Sequence, residues 1–93
     1  MPRQLVVKSQ FHRAYQRLPE ASQCLVDLAL KKFAPYLQTD EAGMGLGIKH
    51  LGRRTYEFRA GLALRVICVL DKEQVVLALI GTHDEVRRYL KRL

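Results

Sequence analysis

Glu57, Arg59, Arg65, His83 and Tyr89 are the side chains whose types and spacing could act on a phosphate. The run TYEFRA over 55–60 alternates, so Glu57 and Arg59 share one face of a strand while Tyr56 and Phe58 share the other. Arg65 falls inside LALRVICVL, on the face opposite Leu64, Val66, Cys68 and Leu70. Two readings of it stand. It pairs across the sheet with Glu57 or Asp71, or it joins Arg59 in presenting two guanidiniums that only an intervening anion makes comfortable. His83 follows Gly81-Thr82 and opens a helix, where the positive end of the helix dipole favours the uncharged, proton-accepting ring. It serves there as a proton carrier, or it merely helps cap the helix or pairs with Asp84. Tyr89 lies nearly two turns further on, and its ring either packs on a core or offers a face to a nucleobase.

Around these residues the chain is basic. Sixteen Lys and Arg against nine Asp and Glu give a net charge of +7 over 93 residues. Ten of the bases, against five of the acids, lie from Lys49 onward. Such a balance points first to nucleic acid, then to an acidic protein, then to an anionic membrane. Lys49, Arg54 and Arg87 are further candidates for holding a phosphate backbone. The length allows one domain, 1–93, with one modest core. Cys24 and Cys68 sit in apolar runs with no metal-ligand spacing, and are expected as small buried hydrophobes in a reducing, cytoplasmic setting. His12, His50 and His83 have no mutual ligand spacing either, so no metal and no cofactor is expected. No signal segment or membrane-length apolar run is visible. No Ser-His-Asp ordering, sheltered pair of carboxylates or nucleophile elbow appears, and the alternating glycines at 43, 45 and 47 are a weak nucleotide-loop signal, because they do not open a helix after a strand.

The elements that must position these residues follow from periodicity and punctuation. Gln4–Val7 is a short strand. Ser9 is the expected N-cap of a first helix carrying Phe11, Ala14, Tyr15 and Leu18 at helical spacing. Pro19 separates it from a second helix, whose expected inner stripe is Ala21, Leu25, Leu28, Ala29, Phe33 and Tyr36, ending near Pro35. Residues 39–47 form a glycine-rich loop. Strands are expected at 48–51, 55–60, 62–70 (the longest) and 74–80, joined by turns at 52–54, 60–61 and 71–73. Links this short make an antiparallel meander. Thr82 and Glu85 then spell a capping box ahead of a helix with Val86, Leu90 and Leu93 inward and Arg87, Arg88, Lys91 and Arg92 solvated. The order β-αα-ββββ-α is an α+β fold: an N-terminal helical hairpin packed on a four- to five-stranded, mostly antiparallel sheet, with a C-terminal helix.

The segment YEFRAGLALRVICVLDKEQVVLALIGTH resembles the RelE/ParE toxin superfamily. Its members carry a Y-x-[IF]-[KR] strand, an arginine-bearing strand, a charged hairpin, and a last strand ending in glycine before basic, histidine or tyrosine residues. FHRAYQRLP and the helix after it resemble the family's N-terminal hairpin, so the likeness covers nearly the whole chain. The resemblance implies a toxin of a type II toxin–antitoxin pair. In the RelE branch this is a metal-independent, ribosome-dependent mRNA endoribonuclease, in which a 2′-hydroxyl attacks the adjacent phosphate. By position, Arg65 is implied to stabilise the phosphorane charge, Arg59 to hold the substrate backbone, His83 to move a proton and Tyr89 to meet a base. Glu57 stands where some members carry a lysine, and serves either as a general base or as the partner of Arg65. The implied partners are a cognate antitoxin covering the basic sheet face and mRNA on the ribosome, with a homodimer or a hetero-oligomer with the antitoxin as the assembly. Two other outcomes remain open: a ParE-like inhibitor of gyrase, and a non-catalytic RelE-like binding module.

Overall fold

The structure is a computed structural model that describes residues 4–33, 48–52, 54–70 and 73–92. Its elements run β1 (Gln4–Val7), α1 (Ser9–Arg17), α2 (Glu20–Phe33), β2 (Lys49–Gly52), β3 (Thr55–Ala60), β4 (Leu64–Leu70), β5 (Gln74–Thr82) and α3 (His83–Lys91). They form one five-stranded sheet in the order β1-β5-β4-β3-β2. β2 to β5 make the antiparallel meander that the short links require, and β1 pairs parallel with β5. Among the described residues no helix is long and apolar enough to cross a membrane. The expected glycine-rich loop, Pro35, Tyr36, Asp71 and Leu93 lie outside the described residues.

Strand alternation divides the interior in two. Phe58, Ala60, Val66, Cys68, Val75, Leu77 and Ile80 point to the side covered by α1 and α2, which contribute Phe11, Val26, Ala29 and Phe33. Phe33 stacks on Phe58, ring centres 4.7 Å apart. The opposite face carries a smaller cluster of Ile67, Ala78, Leu79 and Val86 under α3. A bulge makes that cluster possible. Ile67 pairs with Leu79 and Cys68 with Leu77, which leaves Ala78 as an extra residue on β5 and puts two consecutive side chains against α3.

Several expectations shift. Ser9 is already helical; the N-cap is Lys8, which makes no side-chain cap. Its N–H instead donates to the Leu77 carbonyl at 3.1 Å, so the β1–β5 ladder holds the helix start that a serine cap was expected to hold. On α2 the buried stripe is Val26, Ala29 and Phe33, while Leu25 and Leu28 stay exposed. Ala29 and Phe33 of the expected stripe are thus inside, Val26 joins them, and Leu25 and Leu28 belong to a second apolar flank that periodicity alone does not separate from the first. Cys24 lies on the outer flank too and is exposed, whereas Cys68 is buried as expected. Residues 61–63 are a turn, Gly61 taking the left-handed φ of 73°, so β4 begins at Leu64 and β5 is the longest strand.

Candidate functional site

Arg59 and Arg65 are direct cross-strand partners on β3 and β4, and Arg65 is the partner of Gly81 on β5. One row across the sheet therefore holds two guanidinium-bearing residues and a glycine. The next row runs Lys49, Glu57, Ile67, Leu79. Opposed residues on neighbouring strands have Cα atoms about 4.5–5.5 Å apart. The two arginines would repel if nothing relieved them. Glu57 supplies part of that relief: Arg65 Nε donates to Glu57 Oε1 at 3.2 Å, with 23% and 12% of the two side chains exposed. The expected pairing of Arg65 with Glu57 is thus realised. Because the contact uses Nε, the two terminal amino groups of the guanidinium remain available to a planar anion. Arg59 is exposed beside them.

Gly81 brings α3 to this row. It is buried, and a Cβ there would stand 3.0 Å from the Cβ of Glu85, so the missing side chain is what lets the first turn of α3 lie against the strand. The capping box fixes that turn. Glu85 N–H donates to Thr82 Oγ1 at 3.3 Å, and Thr82 N–H donates to Glu85 Oε1 at 3.0 Å. The bond from the Thr82 backbone, and after it the one involving the Thr82 side chain, hold the Glu85 carboxyl below its usual range. His83 is the first residue of α3 and is exposed, two residues beyond the partner of Arg65.

The remaining sequence candidates distribute unevenly. Lys49 sits in the Glu57 row on the edge strand β2. Arg87 follows His83 by four residues on α3, which places it on the same flank of the helix. Arg54 is not with them: five residues before Arg59, it lies about 17 Å away along β3, in a turn with φ 65°. Tyr89 also departs from the row. It packs on the Ile67–Leu79 cluster and lines a groove of about 280 Å³ with Gln10, Leu79, Glu85, Arg88 and Arg92, on the α1 side of α3. Gly81, in the row, and Gln10, in the separate groove beside Tyr89, are residues that sequence reasoning did not single out. Gly81 was legible as a break before the helix, but Gln10 carries no signal, since only the fold brings α1 beside α3.

The site as built is an open, cation-bearing sheet face bordered by a helix start with a histidine. Two guanidinium-bearing residues paired on one row of a sheet face suit an anion. No protein-family model and no characterised protein sequence matches the chain. Solved structures do. The RelB–RelE antitoxin–toxin complex from Methanococcus jannaschii contains a chain that superposes with a TM-score of 0.70 at 12% identity, covering 90% of this chain and 96% of that one. The chain has the RelE-like toxin fold. The DinJ–YafQ toxin–antitoxin complex of E. coli gives a TM-score of 0.68 at 13% identity over 92% and 98% of the two chains. The RelE–RelB complex of Pyrococcus horikoshii gives 0.65 at 18% over 88% and 96%. In this RelE-like fold the arginine row, Gly81 and the start of α3 all belong to the meander and the helix that follows it.

Proposed function

We propose that the chain is the toxin of a type II toxin–antitoxin pair and acts as a metal-independent, ribosome-dependent mRNA endoribonuclease. The observation that carries the reading is the cross-strand pair Arg59–Arg65, set beside the His83 helix start in a chain of RelE-like fold. Charge supports it as well, since the net +7 suits a polyanionic substrate. In this reading the 2′-hydroxyl of one nucleotide attacks the adjacent phosphate, and its proton passes to His83. Negative charge builds on the phosphorane oxygens and is met by the free edge of Arg65. The P–O bond to the next nucleotide breaks as its 5′-oxygen takes the proton from the now charged His83, which returns the ring to its neutral form, so the products are a cyclic 2′,3′-phosphate and a 5′-hydroxyl. Arg59, Lys49 and Arg87 hold the backbone to either side, and Tyr89 meets a base beyond α3. Arg54 then contacts only RNA that runs on past the site. The partner is an antitoxin, as in the RelB–RelE and DinJ–YafQ complexes that resemble the chain.

A second reading has one observation in its favour. The Arg65–Glu57 ion pair already spends part of the positive charge, which suits a chain that binds a target without cutting RNA, such as a ParE-like gyrase inhibitor or a RelE-like binding module. Expression without a partner separates the two. The nuclease reading predicts arrested protein synthesis with cut messages. Intact messages together with a DNA-damage response would show that the target is gyrase.

A further inference from the structure

The two edges of the sheet are finished differently. β2, at one end, exposes Lys49 and His50, and its register with β3 shifts between His50 and Gly52. Charge and irregular pairing are the devices that keep a strand edge from joining another chain. β1, at the other end, has neither. Gln4–Val7 is a regular, uncharged strand with β5 on one side and, among the described residues, no strand on the other. Its three apolar side chains stay at the surface: Leu5 is 48% exposed, Val6 37% and Val7 47%. Leu5 and Val7 stand beside Val75 and Leu77, so they carry the larger core outward past the last strand. The backbone is only half used as well. Gln4 N–H donates to the Glu73 carbonyl at 2.8 Å and Lys8 N–H to the Leu77 carbonyl at 3.1 Å. Alternate residues of a strand face a given neighbour, so residues 4, 6 and 8 address β5, and the N–H and C=O of Leu5 and Val7 point outward.

We propose that this edge pairs with the same edge of a second copy of the chain, antiparallel about a two-fold axis through Val6, so that two five-stranded sheets become one. The outward groups fix the register. With Val6 opposite Val6 of the second copy, Leu5 and Val7 exchange both backbone bonds with Val7 and Leu5 across the axis. A shift by two residues either way leaves Leu5 or Val7 without a partner inside the strand. On the face of α1 and α2, Leu5 then meets Val7; on the other face Val6 meets its own copy. Such apolar, β-branched cross-strand pairs are what stabilise an antiparallel ladder. Charge permits the pairing although the chain carries +7: neither β1 nor β5 holds a charged residue, and Lys8 falls opposite Gln4. An acidic or basic partner finds no counter-charge on this edge, whereas the strand matches its own order of residues, as a two-fold interface requires. The Arg59–Arg65 row stays open. β4 and its copy stand five strand spacings apart, about 24 Å, with both rows on one face of the joined sheet. The pairing does not rest on the nuclease reading.

The test is sedimentation velocity of the full chain at about 10–300 µM, the range in which small interfaces fill. Wild type should move from 10.7 kDa toward twice that mass with rising concentration. Leu5→Lys/Val7→Lys sets lysine against lysine on both sides of the axis and should stay at 10.7 kDa. Leu5→Glu/Val7→Lys sets glutamate against lysine in this register alone and should recover the dimer. Cross-linking locates the axis independently, with the exposed Cys24 removed as Cys24→Ser. Val6→Cys should form a disulfide-linked dimer on oxidation, because opposed residues that share no backbone bonds have Cα atoms about 4.5 Å apart. Leu5→Cys lies about 7 Å out of step with its copy along the strand and should not. Should Leu5→Lys/Val7→Lys lose its circular-dichroism signal, the two cysteine variants decide. A wild type that stays at 10.7 kDa, as it would if the edge received another protein's strand, overturns the proposal. So does a double-lysine variant that dimerises as well as wild type, or equal cross-linking through positions 5 and 6.

Discussion

Arg65 is held by one edge and free at the other, and that division decides what each neighbour can do. With Nε on Glu57, the remaining two amino groups can fork onto a phosphate without losing the anchor. Removing them should cost ~10²–10³ in cleavage rate, the usual loss for a transition-state donor, so Arg65→Ala should be folded and nearly inactive. Glu57 is then a positioning group whose carboxylate is already spent. Glu57→Gln keeps an accepting oxygen for Nε and should retain cleavage within a few-fold, while Glu57→Ala leaves a partly buried guanidinium without that partner, at about 1–3 kcal/mol of stability. Equal, severe loss of cleavage in both variants, with the acid limb of the pH–rate profile gone, would instead make Glu57 the base. His83→Gln should lower single-turnover cleavage by ~10²–10⁴ and leave RNA binding nearly intact. Normal cleavage by that variant removes His83 from the proton path. These contacts were partly legible in the sequence because TYEFRA alternates polar and apolar residues, which puts 57 and 59 on one face, whereas β4 is apolar at every position but Arg65 and its register had to come from the fold.

At the scale of elements, α3 carries the site's dependence on acid. Glu85 is held below the usual carboxylate range mainly by the Thr82 backbone bond. A carboxylate depressed in the folded state stabilises it at pH values above the unfolded carboxylate range, and that contribution disappears as pH falls through the depressed value. Thermal unfolding followed from neutral pH into acid should therefore show α3 loosening below the ordinary carboxylate range, with a flatter profile for Glu85→Gln. Thr82→Ala should cost about 1 kcal/mol at neutral pH, and an unchanged melting temperature would mean that the cap contributes nothing. This helix was readable because its start is written in local residues, Thr82 and Glu85. The start of α1 was not, since a strand bond from Lys8 to Leu77 replaces a cap. The inner face of α2 was legible only in Ala29 and Phe33: Leu25 and Leu28 are as apolar as Val26, and only the position of the sheet distinguishes the two flanks.

For the whole molecule, the sheet separates a large core under α1 and α2 from a small one under α3, and the second face also carries the Arg59–Arg65 row. The same division sorts the two thiols. Burial pushes the Cys68 thiol up to about 12, while Cys24 is exposed on α2. A thiol reagent should modify Cys24 alone in the native protein and both cysteines after denaturation; rapid native modification of Cys68 would contradict the sheet packing described above. Whether the row Arg59–Arg65 beside His83 cuts RNA is decided by single-turnover cleavage of message bound to purified ribosomes, wild type beside Arg65→Ala. Wild type should form fragments ending in a cyclic 2′,3′-phosphate and beginning with a 5′-hydroxyl, and the variant should form them ~10²–10³-fold more slowly. Message left whole by the wild-type protein, or cut equally by Arg65→Ala, would contradict it.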